Sequence, residues 1–100
     1  MKIVDKSATT ALNVAVNLKD IARDSGGPIQ GVTFLAIGTV TAGTIKLEGS
    51  FDNVNFLPIT ENGVQVEIAV NDFTFVKYRN MFVRCDISDV TSSDLIVEVQ

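Results

Sequence analysis

Cys85 is the one thiol of the chain and the first residue to consider as a nucleophile. It shares strand parity with Met81, Val83 and Ile87, where a thiol acts as a small buried hydrophobe. The sequence holds no histidine. That removes the commonest general base and metal ligand, and with it Ser-His-Asp, Cys-His and His-rich zinc chemistry. Twelve Asp and Glu remain for a carboxylate pair of the glycosidase kind. They fall at the polar parity of strands or in turns, where acids are ordinarily solvated, and no two are singled out. The expectation is a protein without catalytic, cofactor-binding or metal-binding residues, and not an enzyme.

Three other groupings could carry chemistry. Asp86, Ser88, Asp89, Ser92, Ser93 and Asp94 offer hard oxygen ligands for Ca²⁺. Their spacing does not match an EF-hand, and Asp and Ser are also ordinary turn formers that bond their own backbone. Gly26-Gly27 precedes Pro28 and a predicted strand instead of a helix N-terminus. It therefore lacks the aligned amides of a phosphate-binding loop. Lys77, Arg79 and Arg84 lie close to Tyr78 and Phe82, a mixture that could stack and neutralise nucleic acid. The chain, however, has 8 Lys and Arg against 12 Asp and Glu, a net charge of -4. Without a cationic surplus it cannot displace counterions from a phosphate backbone, so nucleic acid is not an expected partner.

The elements that must position these residues are strands. Leu12, Val14, Val16 and Leu18 alternate with polar or small neighbours, as do Ile45, Leu47 and Phe51, and Val64, Val66, Ile68 and Val70. Met81, Val83, Cys85 and Ile87 form a further set, and Leu95, Val97 and Val99 the last. Period two marks strands with one buried face. The segment from Val32 to Val40 is apolar at both parities, as a strand covered on both faces would be, and Phe73 to Arg79 carries aromatics at both. Turn residues punctuate the chain at Thr41-Ala42-Gly43, Asp52-Asn53, Asn62-Gly63, Asn71-Asp72 and Asp89 to Asp94.

Asn62-Gly63 predicts a two-residue type I′ hairpin that sets Ile59 opposite Val66 and Leu57 opposite Ile68. Pro58 cannot donate to a ladder, which puts its strand at an edge or a bulge. Lys19 to Ile29 lacks a β pattern. Lys19 to Asp24 could form a turn of helix, but the stretch reads as one long loop broken by Ser25-Gly26-Gly27-Pro28.

The pattern predicts an all-β fold, an antiparallel β-sandwich or jelly-roll-like barrel of about eight strands with one long loop. One hundred residues suit a single domain over 1–100. An apolar fraction of 46% with modest charge favours folding over disorder. No stretch is long enough to span a bilayer, no export signal is visible at Met1 to Lys6, and a lone Cys85 forms no internal disulfide.

The segment Gly43-Thr44-Ile45-Lys46-Leu47-Glu48-Gly49-Ser50-Phe51-Asp52-Asn53-Val54-Asn55-Phe56-Leu57-Pro58-Ile59 resembles a pattern of small virion proteins of tailed bacteriophages. There a strand ends in Gly-Ser, an Asp/Asn turn follows, and an aromatic and an aliphatic residue open the next strand. The same grammar is similar to that of discoidin-type sugar-binding sandwiches. In part it resembles the Asp-box turn of sialidase-like propellers, with Ser50 and Asp52 in place, though Val54 stands where that box has Gly and its Thr-Trp is missing.

In local terms Ser50, Asp52, Asn53 and Asn55 can bond the turn backbone, with Phe51 and Phe56 expected to anchor the strands beneath. The phage resemblance implies a structural protein of the virion, assembled in the host cytoplasm. It would be a capsid decoration or cement protein, or alternatively a tail or head-completion component. Expected partners are the major capsid protein or other virion proteins and further copies of the chain in a homo-oligomer, without nucleic acid or membrane. Contacts are expected from the N-terminal arm Met1 to Lys6, the loop Lys19 to Ile29 and the aromatic strand Phe73 to Phe82. The other alternative is a non-catalytic carbohydrate-binding module, for which zero Trp and one Tyr supply few stacking rings.

Overall fold

Alternating β-branched and polar residues make extended segments that bury one face, and the chain satisfies them by laying two antiparallel sheets together. The computed structural model describes residues 1–7, 12–24, 31–77 and 81–100, with the backbone alone at position 12 and positions 22–24. One sheet contains β1 (Lys2–Asp5), β2 (Leu12–Asn13), β4 (Val32–Ile37), β10 (Asp72–Val76) and β12 (Ile96–Val99). Its order is β10-β4-β12-β1-β2. The facing sheet runs β3-β11-β5-β6, from β3 (Val16–Asn17), β11 (Phe82–Asp86), β5 (Ile45–Ser50) and β6 (Leu57–Pro58), with β9 (Glu67–Ile68) also paired to β5. A small ladder of β7 (Thr60–Glu61) and β8 (Val64–Gln65) and one helix, α1 (Leu18–Asp24), complete the described elements.

The expected all-β sandwich is the fold, without barrel closure. Phe34, Ala36, Val97, Val99, Ile3 and Val4 from the first sheet meet Ile45, Leu47, Val83, Cys85 and Val16 from the second in one buried cluster. Met81 and Ile87 are half-buried against it, so the β11 face lies inward as its pattern predicts.

Several expectations are corrected. Leu12 to Leu18 is not one strand, because the chain pairs with β1 at β2, crosses between sheets, and pairs with β11 at β3. The crossing turns Val14 outward, while Val16 and Leu18 stay buried. The predicted long loop is helical up to Asp24. Asn17 Oδ1 accepts the Lys19 N–H at 3.1 Å, an N-cap, and Leu18 anchors the helix in the core. The Gly26-Gly27-Pro28 stretch lies outside the described residues.

Val32 to Val40 is covered on one face only: Val32, Phe34 and Ala36 are buried, whereas Ile37 is 49% exposed. The N-terminus is no free arm. Lys2–Asp5 sits between β12 and β2, and the Met1 amine donates to Val99 O at 3.2 Å.

The Asn62-Gly63 turn forms as predicted, with φ of 52° and 79° at its two central residues. Thr60 pairs with Gln65, Glu61 pairs with Val64, and Val66 N donates to Ile59 O at 2.8 Å. Leu57 does not face Ile68, however. Past Ile59 the two arms part and both pair with β5, Leu57 with Gly49 and Ile68 with Ile45. The hairpin is thus a finger inserted into an edge strand, which leaves Val64 at its tip exposed. Pro58 lies on that edge strand, where its missing N–H costs no ladder bond.

Candidate interaction surfaces

The groupings raised as chemistry resolve into structure. Cys85 is buried between the sheets, and burial pushes its thiol up to about 12, which keeps the thiolate out of reach near neutral pH. Asp86 and Asp94 work on their own turn or a neighbouring one, and Asp89 on strand β5. Asp86 Oδ1 accepts from Ser88 Oγ at 2.7 Å and Ser88 N at 3.0 Å, and these bonds, the hydroxyl first, lower its pKa. Asp94 Oδ1 accepts the Thr39 N–H at 2.9 Å and the Ser92 hydroxyl at 3.0 Å, and Asp89 pairs with Lys46 at 3.3 Å. Among the described residues no group of three or more His, Cys, Asp or Glu converges on a possible metal position.

Lys77 and Arg84 are not brought together. Lys77 follows β10 in one sheet, whereas Arg84 lies on β11 in the other. Arg84 Nε bonds Glu48 at 2.9 Å, and its guanidinium lies 4.0 Å from the centre of the Phe56 ring. Tyr78 and Arg79 lie outside the described residues.

The Gly43 to Ile59 segment builds a definite turn. Asp52 Oδ1 accepts the Asn55 N–H at 2.8 Å, the Val54 N–H at 2.9 Å and the Ser50 hydroxyl at 2.8 Å. Its Oδ2 takes the Asn55 amide at 2.7 Å. Four donors on one carboxylate hold it well below the ordinary range, the Asn55 amide hydrogen contributing most. Asn53 turns the chain with φ 60°.

The expected hydrophobic anchoring is half right. Phe56 lies half-buried under Arg84, but Phe51 stands 84% exposed, because β5 ends at Ser50 and the turn swings the next side chain off the sheet. Phe51, Asn55, Leu57, Thr60 and Met81 flank a shallow groove of about 260 Å³ floored by Gly49 and Ile59.

A second surface begins in the aromatic segment Phe73 to Phe82 named above, but its continuation onto β4 was not legible in the sequence. Phe73 (68% exposed) and Phe75 (57%) project from the outer side of β10. In register beside them on β4 are Leu35 and Thr33, and Ile37 on β4 lies opposite Ile96 on β12. Phe73, Leu35, Thr33 and Glu98 rim a depression of about 200 Å³. The outer side of the other sheet is charged instead, carrying Lys46, Glu48, Arg84 and Asp86. The sandwich therefore has one apolar and one ionic outer face. The signal for the former was the parity of Phe73, Phe75, Leu35 and Ile37, masked by the apolar residues at the alternate positions of Val32 to Val40. Models of known protein families, curated proteins and solved structures offer no match to the chain.

Proposed function

We propose that the chain is a non-catalytic structural protein of a tailed-bacteriophage particle, a capsid decoration protein that stabilises the shell by protein–protein contact. The observation that carries the contact role is the outer face of the β10-β4-β12 sheet, where Phe73, Phe75 and Ile37 remain exposed beside Leu35. Large apolar side chains gathered on one face favour a protein partner over solvent, since each removes apolar area from water on docking. The phage setting rests on the resemblance of Gly43 to Ile59. The partner is the major capsid protein, met by this apolar face and framed by the polar loops at its ends.

The test is mass spectrometry of purified virions, followed by rebinding of purified chain to shells stripped of it. Wild type is expected in the particle and on the shell, with Phe73→Ser/Phe75→Ser losing at least tenfold in occupancy. A chain absent from virions sinks the virion reading, and an unaffected double variant sinks the assigned face. The carbohydrate-binding alternative has its own locus, the groove between Phe51 and Asn55. Amide shifts confined to that groove on titration with soluble sugars would decide for it.

A further inference from the structure

We propose that β10 is a self-pairing edge, through which two copies of the chain join their β10-β4-β12-β1-β2 sheets into one continuous ten-stranded sheet. This inference stands apart from the virion reading, since it concerns the purified chain alone.

The backbone of β10 is turned for it. Thr33 and Gln100 exchange both of their hydrogen bonds, Thr33 N to Gln100 O at 2.7 Å and Gln100 N to Thr33 O at 2.9 Å. Odd-numbered residues of β4 therefore point their peptide groups toward β12, and even-numbered ones toward β10. In the observed register, Phe34 opposite Thr74 and Val32 opposite Val76, the even-numbered residues of β10 face those groups, while at the start of the strand the Ala36 carbonyl accepts the Asn71 N–H at 2.7 Å. Phe73 and Phe75 are left with N–H and C=O groups directed away from the sheet. Consistent with this, the Phe73 N–H donates to the side chain of Asp72, at 2.8 Å. Among the described residues no strand pairs with this side of β10.

The side chains select a second copy as the occupant and fix the register. A two-fold axis perpendicular to the sheet keeps outer faces together, so an odd-numbered residue must meet an odd-numbered one. Centring the axis on Thr74 pairs Phe73 of each copy with Phe75 of the other in two hydrogen-bonded pairs, giving four backbone bonds, two of which take the Phe73 N–H from the Asp72 side chain. It also gathers four phenyl rings on one face, next to Leu35 of each copy, as favourable cross-strand aromatic pairs. Within Asp72–Val76 the register is unbroken and there is no proline and no central charge, so of the devices that keep edge strands apart the described strand carries only the Asp72 cap on the Phe73 N–H. The seam leaves the apolar outer face open and doubles its extent.

Sedimentation equilibrium of the purified chain tests the association, and cysteine cross-linking tests the register. Wild type is expected to show a dimer with Kd tighter than about 1 mM. Phe75→Pro removes an outward N–H and no internal ladder bond, and is expected to be monomeric with an unchanged far-ultraviolet circular dichroism spectrum. Thr74→Cys places two thiols across the axis at a non-hydrogen-bonded pair, with Cα atoms about 4.5 Å apart, and should form a disulfide dimer under mild oxidation. Phe73→Cys puts its thiols roughly 8 Å apart in Cα and should not. Buried Cys85 serves as the internal control for unspecific oxidation. A wild type that stays monomeric throughout, or a Phe73→Cys chain that cross-links as fast as Thr74→Cys, overturns the proposal. If Phe75→Pro fails to fold, the pair of cysteine variants still decides it.

Discussion

Asp52 shows how much of a local motif can be self-contained. Its carboxylate is spent on Asn55, Ser50 and Val54, so the turn is held by groups within five residues of one another. Asp94, Asp86 and Asp5 are likewise lowered, led by the Thr39 amide, the Ser88 hydroxyl and the Ser7 hydroxyl respectively. A depressed carboxylate contributes stability above its unfolded value of about 3.9 and loses it as pH falls through the folded value. Tm is therefore expected to be flat from neutral pH down to about 5 and to fall below about 4, and Asp52→Ala to lower neutral Tm and flatten that acid limb. Thermal melts across pH check both. At Cys85 the thiol should resist a disulfide reagent in the native state and react at once in denaturant, followed by absorbance. Rapid native-state labelling would contradict its placement between the sheets.

Turns and edges set how the strands are arranged. Gly63 (φ 79°) has open space around it, whereas a Cβ on Gly43 (φ 84°) would run into the Asp89 carbonyl. Gly63→Ala should thus cost only the left-handed backbone preference, about 1 kcal/mol, and Gly43→Ala clearly more. Urea unfolding of the two variants separates the conformational part from the steric one; equal losses would refute the distinction. The hairpin was readable because Asn62 and Gly63 act on their immediate neighbours. Its splayed base was not, because only β5, far away in sequence, can offer both Leu57 and Ile68 a partner. Helix α1 was obscured in the same way, since Asn17, its cap, also fits a strand alternation and in fact ends β3.

Across the molecule, apolar residues divide into those that hold the sheets together and those left outside. Phe34 is fully buried in the centre of β4. Phe34→Ala should cost about 3–5 kcal/mol, while Phe73→Ala, on the exposed face, should lie within about 0.5 kcal/mol of wild type in the unassociated chain. Denaturant titration of both at low concentration tests the contrast.

The sequence by itself determined the β class, the inward parity of Val83 and Cys85 and of Leu95, Val97 and Val99, and the type I′ turn, and it narrowed Pro58 to an edge or a bulge. These follow from side-chain alternation and from backbone preferences that act over a few residues. Only the tertiary structure decided which apolar parity would be covered: Phe51 and Val64 alternate in step with the core residues of their segments yet lie outside, and Phe73 and Phe75 lie outside as well. Burial depends on whether another layer lies across a given face. For β4 and β10, among the described residues, that layer lies on the inner side, a choice made by strand order and not by local pattern.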